Sequence, residues 1–291
     1  WYTLPHLIAL FLGITASGYL TVSHFKNYTD PTYSSFCAIS QSINCDTVAQ
    51  SPWSVIFGLP VSVWGLFGFL VYLQIFITVL RKSNKHPAGW SALFYLALIF
   101  SIISCGFAYI SATIINAFCI VCVFIYAINF LLLISSWIIC RRFLISYHLS
   151  SLLYSTKSLI SHRYLRISLT GSTVLLLVLI TAIPPYWNLT PPEIGEHTKT
   201  GLTEDGHPWI GAMNPVLVIE EYSDYQCFHC YKTQLTIRQL INQHPEKIRL
   251  IHRHYPMDHT VNPLVVPTPF HIGAGKMALM AIYATQKDLF W

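Results

Sequence analysis

The sequence predicts an α-helical membrane protein: a four-helix transmembrane bundle, a fifth tethering helix, and a C-terminal α/β domain. Three observations carry this. Hydrophobic residues make up 54% of the 291 and charged residues only 10%, too apolar and too charge-poor for an ordinary soluble domain. Five runs reach the ~20 apolar residues that a helix needs to cross a bilayer core of ~30 Å. No acidic residue stands between Asp46 and Glu193, as expected where a buried, unpaired carboxylate would be costly.

The five runs lie at about 4–23, 57–80, 90–112, 117–140 and 167–185. The first has no small-residue cleavage signature and reads as a retained helix, although the chain opens on Trp1 and is expected to be trimmed. Arg81, Lys82 and Lys85 follow the second run, and Arg141, Arg142, Lys157, Arg163 and Arg166 separate the fourth from the fifth. The loop after the first run carries only Lys26. The positive-inside rule then places 81–89 and 141–166 in the cytoplasm. The loop 24–56, the turn near 113–117 and everything after 186 fall on the far side.

Beyond the fifth run the composition changes. Residues 186–211 are rich in Pro, Gly and Thr and read as a linker. If flexible, such a segment of ~25 residues has an r.m.s. span of ~25–30 Å. From 212 onward the pattern is strand (216–222), tight turn, helix (228–243) and strand in "KIRLIHRHYP". Cys227 and Cys230 open that helix. A C-x-x-C at the helix start of a β-α-β unit is the mark of a thioredoxin-like redox domain. The helix N-terminus favours the thiolate that attacks disulfides, and a second cysteine two residues on can resolve the mixed disulfide.

Eight cysteines are present, and six sort into three pairs on the outer face: Cys37 with Cys45, Cys119 with Cys122, and Cys227 with Cys230. Cys105 and Cys140, inside the third run and at the inner end of the fourth, read as packing residues. Three thiol pairs in one compartment suggest a relay, because dithiols exchange disulfides by direct contact. The C-x-x-C in "AFCIVCVFIY" is flanked by apolar residues. Its redox partner is therefore expected to be lipophilic, which suits a membrane quinone.

These residues carry a resemblance. "CAISQSINC" (37–45), the following Ser51, "FGLPVSVWGLFGF" (57–69) and "CIVCVFIY" (119–126) resemble vitamin K epoxide reductase homologues. The whole chain resembles their bacterial fusions to a thioredoxin-like domain. The tail is similar to the DsbA-like branch in "EEYSDYQCFHC" and "HRHYPMD". The resemblance implies a quinone-dependent oxidoreductase that makes disulfides in periplasmic proteins. It implies a place in the bacterial inner membrane with the active sites on the periplasmic side. Cys227 would be the surface nucleophile and Cys230 its resolving partner. Cys37 would accept electrons from that pair, Cys45 would pass them to Cys119, and Cys122 would be the thiol nearest the quinone. Tyr126 would hydrogen-bond a quinone carbonyl, Ser51 would shape the site, and His229 would stabilise the Cys227 thiolate. The cofactor would be ubiquinone or menaquinone, with no metal. The partners would be lipid, quinone and protein thiols, with no nucleic acid. Vertebrate relatives carry an Asn aligned near Val61 of this chain, and Phe228 stands in place of the usual Pro.

The expected domains are 1–140 (quinone-binding bundle), 141–185 (cytoplasmic loop and fifth helix), 186–211 (linker) and 212–291 (thioredoxin-like). The last is expected to be incomplete, because Pro263, Pro267 and Pro269 precede a helix and none suits the cis-Pro of that fold. His252, His254, His259 and His271 match no ligand spacing and are taken as surface or strand residues. Three other readings use the same residues: quinone or quinone-epoxide reduction as the main role, soft-metal handling by the C-x-x-C pairs, and a scaffold stapled by fixed disulfides.

Overall fold

The computed structural model describes residues 3–40, 42–81, 89–143, 163–195, 198–265 and 271–291. Lys82, Lys85, Lys157, Pro267 and Pro269, used above, lie outside the described residues. The chain divides into two compact units, Trp1–Thr29 with Tyr33–Trp187, and Asn188–Trp291 with the short stretch Asp30–Thr32.

In the first unit α1 (Thr3–Thr29) is followed by a short α2 (Cys45–Gln50), then by a hairpin of β1 (Val55–Ile56) and β2 (Leu59–Pro60). Four long helices complete it: α3 (Val61–Arg81), α4 (Gly89–Ile110), α5 (Ile120–Arg142) and α6 (Arg163–Ala182). All except α2 are long and apolar enough to cross a membrane.

The second run was expected to be helical from 57, yet α3 begins at Val61. Phe57 (φ 51°) and Gly58 (φ 74°) both take left-handed backbone and close a two-residue hairpin. Trp64 Nε1 donates to Ile56 O at 2.9 Å and fastens the hairpin to the helix. The helical turn Ser111–Ile115 that prolongs α4 stops at Asn116 (φ 56°), a residue that tolerates the left-handed conformation. This pushes the start of the next helix to Ile120.

Water exclusion does not drive helices together in lipid, so close packing and interhelical hydrogen bonds must do it. Leu10, Phe69, Tyr72, Phe76, Leu93 and Leu132 form the buried centre. Gly13 lets α1 approach α3: a Cβ there would lie 2.6 Å from the Phe69 ring. A polar knot joins three helices, with Ser136 Oγ 3.2 Å from His6 Nε2 and 3.0 Å from the Tyr72 hydroxyl. Phe11, Ile102 and Ile167 are exposed, as lipid-facing residues should be. Cys140 is buried, but Cys105 is exposed on α4, so it is not the packing residue expected. α6 buries only Leu165 and reaches α3 through Gln74 Nε2, which donates to Ser172 Oγ at 2.7 Å.

The second unit holds β3 (Lys199–Leu202), β4 (Pro208–Gly211), β5 (Leu217–Ser223), α7 (Phe228–Gln243), β6 (Ile248–His254) and α8 (Ala274–Thr285). The strand order is β3-β4-β6-β5. β5 and β6 are parallel, with α7 as their crossover, and β3, β4 and β6 are antiparallel. Ile210, Ile241, Ile248 and Leu250 form its core.

Part of the expected linker is regular structure. Lys199–Leu202 and Pro208–Gly211 are paired strands of the sheet. The preceding stretch is tied to α7: Tyr231 Oη donates to Leu189 O at 2.7 Å and Asn242 Nδ2 to Glu193 O at 2.8 Å. At these residues the segment is attached to the second unit.

Gly13→Val should destabilise the bundle by about 1–3 kcal/mol through overpacking against Phe69, read as a lowered Tm in detergent. Gly18→Val, where a Cβ meets nothing within 4 Å, is the matched control and should leave Tm nearly unchanged.

Candidate active site

Cys37 and Cys45 are joined by a disulfide, with their Cα atoms 5.6 Å apart. Cys45 opens α2, whose cap is Asn44: its Oδ1 accepts from Asp46 N (2.9 Å) and Thr47 N (3.1 Å). Asp46 is buried and would be costly without partners. It accepts from Asn27 Nδ2 at 2.8 Å and from Ser35 N at 2.9 Å. Asn27 Oδ1 accepts in turn from Gln50 Nε2 at 3.0 Å. One carboxylate thus ties α1, α2 and the approach to Cys37 together.

Cys119 caps α5, its Sγ accepting from Cys122 N at 3.1 Å. It is disulfide-bonded to Cys122 across a Cα separation of 5.2 Å. A backbone bridge brings the two pairs together. Ile43 pairs in parallel with Phe118. Asn44 N donates to Phe118 O at 2.9 Å, and Phe118 N to Ser42 O at 2.8 Å. Cys45 and Cys119 follow directly on the two sides of this bridge. With Cys37 they form one buried cluster, packed by Leu20, Val48, Val121 and Cys122. Cys37, expected to accept electrons from the Cys227 pair, is fully buried, with Ser35 Oγ 3.6 Å from its sulfur.

Below the cluster lies a cavity of about 450 Å³. Cys119, Cys122, Tyr126 and Ser51 all line it, among apolar walls that include Val48, Phe69, Phe100 and Ile125. Its size and lining suit a largely apolar small molecule with a few polar contacts. The Tyr126 hydroxyl has no hydrogen-bond partner among the described residues. The Ser51 hydroxyl donates to Val48 O at 2.8 Å, so Ser51 shapes the wall through the end of α2. Reading of the sequence missed two polar residues here, His24 and Asn129. His24 is held between the Tyr186 hydroxyl (Nδ1, 2.8 Å) and Ser54 Oγ (Nε2, 3.3 Å). No sequence signal marked His24, which fell just past the end of the first expected run, while α1 continues to Thr29. For Asn129 the available signal was the spacing from Cys122 and Tyr126, which puts all three on one helix face.

In the second unit Cys227 caps α7 as Cys119 caps α5, its Sγ accepting from Cys230 N at 3.3 Å. Both thiols are free and half-buried. The Cys230 thiol is drawn down to about 6, chiefly by the hydrogen bond from the Cys227 thiol, and the same bond with burial pushes Cys227 up. One proton lies between two sulfurs, so the low value belongs to the pair. The backbone N–H groups of Cys230 and His229 favour charge on Cys227. The His229 ring is exposed and touches neither sulfur among the described residues.

Nearby, the Tyr225 hydroxyl lies 3.1 Å from both His252 Nε2 and His254 Nδ1. Burial first, then His252 and His207, lower His254 to about 4. His252 is not a surface residue: it is buried on β6, with Nδ1 3.8 Å from the buried Glu221. His271 Nδ1 lies 2.9 Å from Asp224 Oδ1. Among the described residues no group of three or more His, Cys, Asp or Glu side chains has metal-site geometry.

Two family models match the chain. Residues 4–137 match the Vitamin K epoxide reductase family, and residues 203–267 match a thioredoxin family. The chain thus joins a vitamin K epoxide reductase-family domain to a thioredoxin-like domain. It is a multi-pass membrane oxidoreductase that works through thiols and disulfides.

The lowered thiol pKa sets a pH dependence. In the reduced form the thiolate stabilises the fold fully above its unfolded pKa of 9.0, and this contribution is lost as pH falls through about 6. Alkylation of the reduced C-x-x-C by iodoacetamide should therefore rise with a midpoint near pH 6. His229→Ala keeps the backbone donor and should leave that midpoint in place. A midpoint near 9 in the unaltered protein would show that the pair is not poised as described.

Proposed function

From the union of a vitamin K epoxide reductase-family bundle with a thioredoxin-like domain, we propose that this protein oxidises periplasmic protein thiols and delivers their electrons to a membrane quinone. One observation carries the reading: the Cys119–Cys122 disulfide borders an apolar cavity that Cys45 of the Cys37–Cys45 disulfide also lines, and the two disulfides pack in one buried cluster. A quinone bound there would supply a two-electron, two-proton acceptor, ubiquinone or menaquinone by chemistry. The cavity residues fit it, with apolar walls for the ring and tail and a free Tyr126 hydroxyl for a carbonyl.

The exchange steps balance. A substrate dithiol reduces the Cys227–Cys230 disulfide and becomes a disulfide itself. The Cys227 thiolate attacks Cys37, forming Cys227–Cys37 and releasing Cys45 as thiolate. Cys45 attacks Cys119, forming Cys45–Cys119 and releasing Cys122. Cys230 then displaces Cys37 from Cys227, and Cys37 displaces Cys119 from Cys45. Both upper disulfides are restored and the Cys119–Cys122 dithiol is left. Its return to the disulfide releases two electrons and two protons to the cavity. In sum, protein dithiol and quinone become protein disulfide and quinol. The orientation that suits this, in the bacterial inner membrane, puts all three pairs on the periplasmic side. The basic residues Arg141, Arg142, Arg163 and Arg166 support it, lying at the opposite ends of α5 and α6 from the cysteine cluster.

Trapping reads the order directly. Cys122→Ala leaves Cys119 a free thiol with no disulfide of its own; it can attack Cys45 and release Cys37, so a Cys45–Cys119 bridge should accumulate with no partner left to pass it on. Cys230→Ser should accumulate Cys227–Cys37. Cys105→Ala and Cys140→Ala should keep near-normal turnover. Mass spectrometry of the bridged peptides checks each. A Cys227–Cys119 bridge with Cys37–Cys45 intact would make the loop pair structural and end the three-pair scheme.

A further inference from the structure

Asn129 lines the cavity but has no part in the thiol steps. It is 7% exposed and sits on α5 one turn beyond Tyr126 and two beyond Cys122. Its Nδ2 donates to Ser104 Oγ at 2.9 Å, and the Ser104 hydroxyl donates to Phe100 O at 2.9 Å. The only hydroxyl proton of Ser104 is therefore committed to a carbonyl, and its oxygen can only accept. Asn129 must turn its NH₂ to Ser104, which fixes the amide orientation. Its Oδ1 is left buried without a partner among the described residues. Buried polar atoms are normally paired, so this one points to a ligand donor.

Resting on the quinone reading above, we infer that Asn129 Oδ1 is the acceptor for a hydroxyl of the reduced ring, the quinol. A quinone presents only acceptor oxygens, whereas the quinol presents two O–H donors. An amide oxygen accepts and cannot donate, so it repels the first and binds the second, more strongly in a dry cavity than in water. The Tyr126 phenol can donate or accept and serves both forms. So can the Ser17 and Ser62 hydroxyls, which also line the cavity without partners among the described residues. Asn129 thus distinguishes product from substrate. It favours the forward reaction of dithiol and quinone to disulfide and quinol.

Binding, rather than turnover, tests this. In a Cys122→Ser background, which cannot exchange electrons through the membrane pair, a short-chain benzoquinone and its quinol are titrated separately without oxygen. Quenching of Trp53 and Trp64, both at the cavity wall, reports occupancy. The parent should bind the quinol more tightly than the quinone. Adding Asn129→Leu should weaken quinol binding about tenfold and quinone binding less than about twofold, as loss of one hydrogen bond made by one form only. Adding Ser104→Ala, which frees the amide to turn its NH₂ to the cavity, should narrow the preference with Asn129 intact. Equal weakening of both forms, or an unchanged preference in both variants, overturns the assignment while leaving the quinone reading in place. A parent that binds neither form overturns the quinone reading and this inference with it.

Discussion

The arrangement of the bundle's cysteines rests on a backbone bridge, Ile43 with Phe118. Its two hydrogen bonds use main-chain groups only, so almost any side chains could stand there. Yet the bridge decides which cysteines meet. It puts Cys45 and Cys119 side by side, because each follows within two residues of a paired position. Everything around it resists slippage. Asn44 caps α2 on one side, and on the other Asn116 ends the preceding helical segment so that Cys119 can cap α5. The Asp46 carboxylate, satisfied by Asn27 and Ser35, anchors the loop to α1. A disulfide exchange needs sulfur in contact with sulfur along a defined line, and the bridge supplies the position.

Below it, α5 acts as a ruled edge. Cys122, Tyr126 and Asn129 recur at the helical spacing that keeps them on one face, and that face borders the cavity. The redox atom, a hydroxyl and an amide are thus presented by one rigid element. Their relative placement does not depend on how helices shift against one another.

Much of this was legible in the sequence. The spans follow from run length, because lipid demands satisfied backbone over a fixed thickness. The two C-x-x-C pairs announce helix starts, and both first cysteines are caps. What escaped has physical reasons. The Ile43–Phe118 bridge leaves no side-chain signature. The hairpin turn uses Phe57 in a left-handed conformation more often taken by glycine or asparagine, so the run looked continuous. Lys199–Leu202 and Pro208–Gly211 are short strands with turn-rich flanks, and their pairing with β6 is non-local. The burial of Cys37 and of His252 likewise arises only when distant segments fold over them.

The capping of both helices by a cysteine has a mechanical side. A thiolate accepts a backbone N–H strongly, as charged acceptors do; a sulfur in a disulfide accepts it weakly. If electrons pass as proposed, reduction of either pair to a thiolate would strengthen the cap of α5 or of α7, and oxidation would weaken it. Amide exchange at Cys122 and Cys230 would then report redox state without watching the sulfurs at all.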